Sequence, residues 1–125
     1  MSGRILLTIL ALVQSLATPV YDFDRRHIFN PGWPGHARYH AAAFVFLNMG
    51  VGFVALWLIW GHPDLTREAA VLLALSSLVM FLAAGVPKVV IQADGERLIL
   101  GHPVSSWMAG VFLVLVAVGW WLSDN

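Results

Sequence analysis

Three of the five histidines stand in the stretch Asp22-Phe23-Asp24-Arg25-Arg26-His27-Ile28-Phe29-Asn30-Pro31-Gly32-Trp33-Pro34-Gly35-His36-Ala37-Arg38-Tyr39-His40, with two aspartates and three arginines. His36 and His40 are four apart, which at about 100° per residue puts them on one helix face, about 40° from each other. Asn30-Pro31 and Trp33-Pro34-Gly35 turn the chain sharply, so His27 can fold back toward that pair. Two chemistries suit such a set. As ligands, His27, His36 and His40 with Asp24 could hold a divalent transition metal, with Asp22 or Asp24 fixing a ring tautomer. As acid and base groups they would serve near neutrality, because imidazole titrates at about 6.5. Arg38 would contact an anionic head group, and Asn30 and Trp33 would shape the turn around a ligand. No glutamate follows His36, so the HExxH helix of metalloproteases is absent. The same residues also read as a rigid connector whose histidines bond only to headgroup phosphate, backbone or water.

One further polar side chain sits within the second apolar run. Asn48, beside Gly50 and Gly52, has two readings. Spaced with Gly52 as small-xxx-small, it lets another helix approach and bonds across the contact. Alternatively it lines the floor of a pocket roofed by loop one.

These residues need a frame. Of 125 residues, 59% are apolar and 11% charged, and the mean hydropathy is +0.78. A soluble domain carries about 25% charged residues, so this chain has less than half the usual charge with which to wet a surface. Seven Lys and Arg balance seven Asp and Glu, and there is no Cys. Nucleic-acid binding, disorder and a disulfide framework are excluded. Charge-free runs cover 5–21, 39–63, 69–87 and 98–123, and about 20 apolar helical residues cross a hydrocarbon core of about 30 Å. The pattern predicts an all-α membrane protein: one integral membrane domain over 1–125, an antiparallel four-helix bundle with spans Ile5–Val20, Tyr39–Trp60, Ala69–Val86 and Val104–Leu122.

The first and fourth spans read as apolar on all sides, free to face lipid or another subunit, which leaves an oligomer open. The first also fits a signal peptide, with Arg4 ahead of a leucine-rich run and Ser15-Leu16-Ala17 as the cleavage motif; its length favours a retained helix. No Asp, Glu, Lys or Arg lies inside a span, which argues against a proton- or cation-coupled transporter. The small multidrug exporters, similar in size, need a membrane-embedded Glu in the first span that this chain lacks.

Loops one and three hold Arg25, Arg26, Arg38, Lys88 and Arg97, against Arg4 and Arg67 on the opposite side. Basic loops stay inside, so loops one and three are expected in the cytoplasm and both termini outside. Trp57, Trp60, Trp120 and Trp121 close spans two and four, while Trp33 precedes span two and Trp107 stands at the start of span four, the interfacial positions that indole prefers. In loop three, Val89-Val90-Ile91-Gln92 and Arg97-Leu98-Ile99-Leu100 flank Asp94-Gly95, which predicts a short β-hairpin. Gly-His-Pro recurs at 61–63 and 101–103 on opposite faces, a turn chemistry rather than a shared metal site.

The string His27-x-x-Asn30-Pro31-x-Trp33-Pro34-x-His36-Ala37-Arg38-Tyr39-His40 resembles the signature of an uncharacterised family of small four-helix integral membrane proteins. It departs at Gly35, where a second Pro is usual, and at Ala41-Ala42-Ala43, where more polar residues are usual. The resemblance implies the same four-helix layout and marks Asn30 and the loop-one histidines as the residues to test; it supplies no reaction. The expected function is a His-rich polar site at the membrane interface that binds or acts on an amphipathic, lipid-like molecule. The alternative is a non-catalytic membrane subunit or assembly module in which loop one is only a connector.

Overall fold

A computed structural model of the chain describes residues 1–90, 98–99 and 102–123. Among them are four long helices, α1 (Ser2–Asp22), α2 (Gly35–Gly61), α3 (Thr66–Val90) and α4 (Val104–Leu122), with a single 3-10 turn at Pro63–Leu65. The class is all-α. α1 and α3 overrun the expected spans at their C-terminal ends. α1 continues past Pro19 to Asp22, because a proline in the last turn forfeits only its own N–H; the Phe23 amide still donates to the Pro19 carbonyl at 3.1 Å. α3 likewise runs through Pro87 to Val90.

That extension removes the expected hairpin. Val89 and Val90 belong to α3, and the Asp94-Gly95 turn lies outside the described residues. Leu98 and Ile99 pair instead with Pro103 and His102, antiparallel and two residues to a side. The helical hydrogen-bond ladder of α3 keeps the two valines, although β-branched residues favour strands.

Short connections make successive helices antiparallel. Arg4, at the start of α1, reaches the Ile59 carbonyl near the end of α2 at 2.6 Å. Arg67, at the start of α3, lies over the Trp120 ring near the end of α4 at 4.7 Å. α1 packs against both α2 and α4, and α3 closes the ring between them. Glycines permit the closest approaches. A Cβ on Gly52 would collide with Ser15 Oγ and come within 2.5 Å of the Ala11 carbonyl, and one on Gly3 would meet the Gly119 carbonyl at 2.6 Å.

Among the described residues, the dry core is Leu7, Leu10, Ala11, Ala55, Ile59, Leu73 and Val116 with Ala69 and Ala70. These positions fall in the first half of α1 and α3 and the second half of α2 and α4, the end of the bundle beside loop two. The outside is apolar: Leu47 is 65% exposed, Phe46 60% and Val114 64%. α1 and α2 are long and apolar enough to cross a membrane, and only 22% and 28% of their most apolar stretches are buried.

Candidate functional site

Loop one is a hydrogen-bonded turn organised by Asp24. Its Oδ1 accepts from the Arg26 amide at 2.9 Å, the His27 amide at 2.9 Å and His27 Nδ1 at 2.8 Å, and its Oδ2 accepts from Arg26 Nε at 3.1 Å. An aspartate capping amides two and three residues on is the local turn that this residue type favours. Partial desolvation pushes the Asp24 carboxyl up, but the His27 ring and the Arg26 and His27 donors outweigh it and hold it down at about 2. The ionised carboxylate can only accept, so His27 Nδ1 carries the proton. Asn30 completes the turn: its Oδ1 accepts from the Gly32 amide at 2.9 Å and its Nδ2 donates to the Arg26 carbonyl at 3.1 Å. Phe23 packs against Phe29 and Phe46, each at 6.0 Å between ring centroids, and Ile28 is buried beneath. His27 meets the edge of Trp33 at 6.1 Å.

His36 and His40 occupy the first turns of α2, as their spacing predicts. Their Nε2 atoms are 2.9 Å apart with the rings edge to face, so one nitrogen donates and the other accepts. Both rings are exposed, as is Arg38. The expected ligand set is therefore divided into two pairs, Asp24 with His27 and His36 with His40. No group of three or more His, Cys, Asp or Glu among the described residues is arranged to hold a metal ion. The physical reason is that Asp24 turns His27 inward to its own loop, whereas α2 carries the other two rings outward.

The larger space lies below the loop. A half-open cavity of about 310 Å³ lies between the four helices, with polar groups supplied by Gln14, Thr18, Tyr21 and Asp22 of α1, Asn48 of α2 and Ser77 of α3. Met108, Ala109 and Phe112 of α4 and Phe44 of α2 form its apolar wall. Asn48 bonds across the helix contact, as its spacing with Gly52 predicts, and it also borders this cavity, whose lining includes no described residue of 23–34. Its Oδ1 accepts from Gln14 Nε2 at 2.5 Å across the α1–α2 contact, its Nδ2 donates to the Phe44 carbonyl at 2.9 Å, and it borders the cavity. Among the described residues, Gln14 keeps its own carbonyl oxygen for a further partner. The Asp22 carboxylate has no hydrogen-bond partner among the described residues, although it lines the cavity. On the other side of Phe44 and Asn48 runs a wholly apolar groove between α2 and α3, about 220 Å³, walled by Leu47, Val51, Leu72, Leu75 and Val79.

The α1 wall was not expected, because α1 read as apolar on all sides. Gln14, Thr18, Tyr21 and Asp22 fall at i, i+4, i+7 and i+8, one face of a helix. That spacing was the signal; averaged over the run, the leucines on the other faces hide it. Of the loop-one residues singled out by type, His27, Asn30, Trp33, His36, Arg38 and His40 all lie off the cavity lining. Compared with protein-family models, with curated proteins and with solved structures, the chain matches none.

Proposed function

We propose that this chain is a multi-pass integral membrane protein that holds an amphipathic, lipid-like molecule between its helices at the loop-one end. One observation carries the reading: a largely apolar cavity that holds several polar groups and a wholly apolar groove share Phe44 and Asn48 as their common wall. An amphiphile asks for that adjacency, a head bonded inside and a chain lying along the outside of α2 and α3. The combined space suits it, since ligand sites run from about 300 to 1,000 Å³. The apolar exterior and the tryptophans at the helix ends support the bilayer as its solvent. In this reading all four helices span, loops one and three face the cytoplasm, and the binding end is the cytoplasmic one.

The polar site is the cavity rather than the loop-one histidines. The bonds that saturate Asp24 and Asn30 favour loop one as a rigid frame over the site, which is the connector role of the alternative reading. A non-catalytic module would have that frame and no occupant below it. Native mass spectrometry of the detergent-purified chain distinguishes the two. The wild type should carry an amphiphile-sized adduct, and Ala109→Phe, which fills the cavity, should lose it. A wild type without any adduct, after extraction in mild detergent and addition of total lipid extract, contradicts the proposal.

A further inference from the structure

Resting on the amphiphile reading, we infer that the head received by the cavity is a protonated amine on a single-chain amphiphile, with Asp22 as its counter-ion. Four features of the site converge on a cation. Among the described residues, the cavity lining contains one ionisable carboxylate, Asp22, and no Lys, Arg or His. No described loop-one donor bonds that carboxylate; the His27 ring attracts it only through space, and the donors themselves go to its neighbour. Arg26 Nε and His27 Nδ1 both donate to Asp24, at 3.1 and 2.8 Å. Asp22 is also the last residue of α1, whose final turn contains no basic residue. The carbonyl end of a helix carries partial negative charge and favours a cation within its last turn. Here an acid stands where a base would ordinarily compensate, and both negative features border one cavity.

The remaining polar groups suit the same head. An ammonium offers three donors and no acceptor. Around it the site presents the Gln14 carbonyl oxygen and the hydroxyls of Thr18 and Tyr21, while the Asn48 oxygen is already occupied by Gln14. Aromatic rings of Tyr21, Phe44 and Phe112 line the same space, and such faces attract cations further. A phosphate or carboxylate head would instead meet Asp22 and the α1 carbonyl end with no basic group among the described lining residues to offset the repulsion. A cavity of about 310 Å³ is at the small end of ligand sites, so one chain, leaving past Phe44 into the α2–α3 groove, fits better than two.

The experiment uses the full chain in phosphatidylcholine nanodiscs, labelled by a diazirine-bearing long-chain alcohol. Hexadecylamine, hexadecanol and hexadecanoate compete at equal mole fraction in the bilayer, and phosphatidylethanolamine is a fourth competitor that carries the same ammonium on two chains and a phosphate. The amine should compete about tenfold better than the alcohol, the scale of one charge-assisted bond, and the carboxylate and phosphatidylethanolamine should compete less well than the alcohol. Asp22→Asn should abolish the preference for amine over alcohol while the alcohol still competes, and Asp22→Glu, which keeps the charge, should retain it. Equal competition by amine and alcohol in the wild type overturns the inference, as does a preference unchanged in Asp22→Asn. Phosphatidylethanolamine as the strongest competitor overturns the single-chain assignment. Labelling that no competitor reduces, and that survives in Ala109→Phe, removes the amphiphile reading itself.

Discussion

The two ends of the bundle meet the same electrostatic demand in opposite ways. At the loop-two end, the carbonyl terminus of α2 is compensated from within. The Arg4 guanidinium donates to the Ile59 carbonyl at 2.6 Å and lies over the Trp60 ring at 4.7 Å. Trp60 Nε1 in turn donates to Thr8 Oγ1 at 3.0 Å, and Thr8 Oγ1 to the Arg4 carbonyl at 2.7 Å. Arg67 over Trp120 closes the neighbouring helix pair, and the dry core sits beneath. At the loop-one end, the carbonyl terminus of α1 carries Asp22 instead of a base and opens on a cavity. A helix end that receives a cation from a neighbouring helix is a structural joint; one that carries an acid instead, next to an open space, is the end at which a ligand can be held.

The contrast depends on α1 staying close to both neighbours, so the largest effect should come from wedging it away. Gly52→Val puts side-chain atoms onto Ser15 Oγ and the Ala11 carbonyl and should destabilise the bundle by about 1–3 kcal/mol or more. Gly50→Val, two residues away with nothing within 4 Å of its Cβ position, should stay within about 0.5 kcal/mol. Thermal unfolding in one detergent compares the two; equal losses would mean that α1 and α2 do not approach at Gly52.

Next in size, Arg4→Ala should loosen the loop-two end by about 1.5–3 kcal/mol, the range for hydrogen bonds to charged groups, without changing amphiphile competition. A loss of binding in Arg4→Ala would show that the two ends are not separable. Smaller again is the Gln14–Asn48 bond. A double-mutant cycle of Gln14→Leu and Asn48→Leu should return a coupling of about 0.6–1.7 kcal/mol, as interhelical side-chain bonds in bundles do. A coupling of zero would leave Asn48 as cavity lining alone.

The smallest effect is confined to loop one and is read by pH. The Asp24 carboxyl is held at about 2, below the value of about 3.9 for an unfolded aspartate. A depressed folded value means that its anchoring is complete above about pH 4 and is lost as pH falls toward 2. Amide exchange at Arg26 and His27, corrected for the intrinsic rate, should show protection that is level above that window and declines within it. Asp24→Asn should remove the decline. Protection that is unchanged in the mutant would mean that Asp24 does not organise the loop.

The helices were legible because composition alone dictates them: four runs without charge, divided by polar connections. Local spacing also placed His36 beside His40, and it anticipated an aspartate within reach of a loop-one histidine, which His27 and Asp24 supply at 2.8 Å. What spacing could not convey was which residues meet across the bundle. His27 was expected to join the other histidines, but a carboxylate three residues away is always the nearer partner. The α1 wall of the cavity was visible in principle as Gln14, Thr18 and Asp22 on one face, yet the leucines between them dominate any average. The hairpin failed because α3 carries Val89 and Val90 on in its own helical ladder.

The most direct test of the account is where an occupant touches the chain. A long-chain alcohol bearing a diazirine near its head, incorporated with the full chain into nanodiscs and irradiated, should label the loop-one half of the helices. Labelling is expected at Phe44, Met108 and Phe112, and it should be lost in Ala109→Phe. Labelling concentrated instead at the loop-two end, around Leu10, Ala55 and Leu73, would contradict the account.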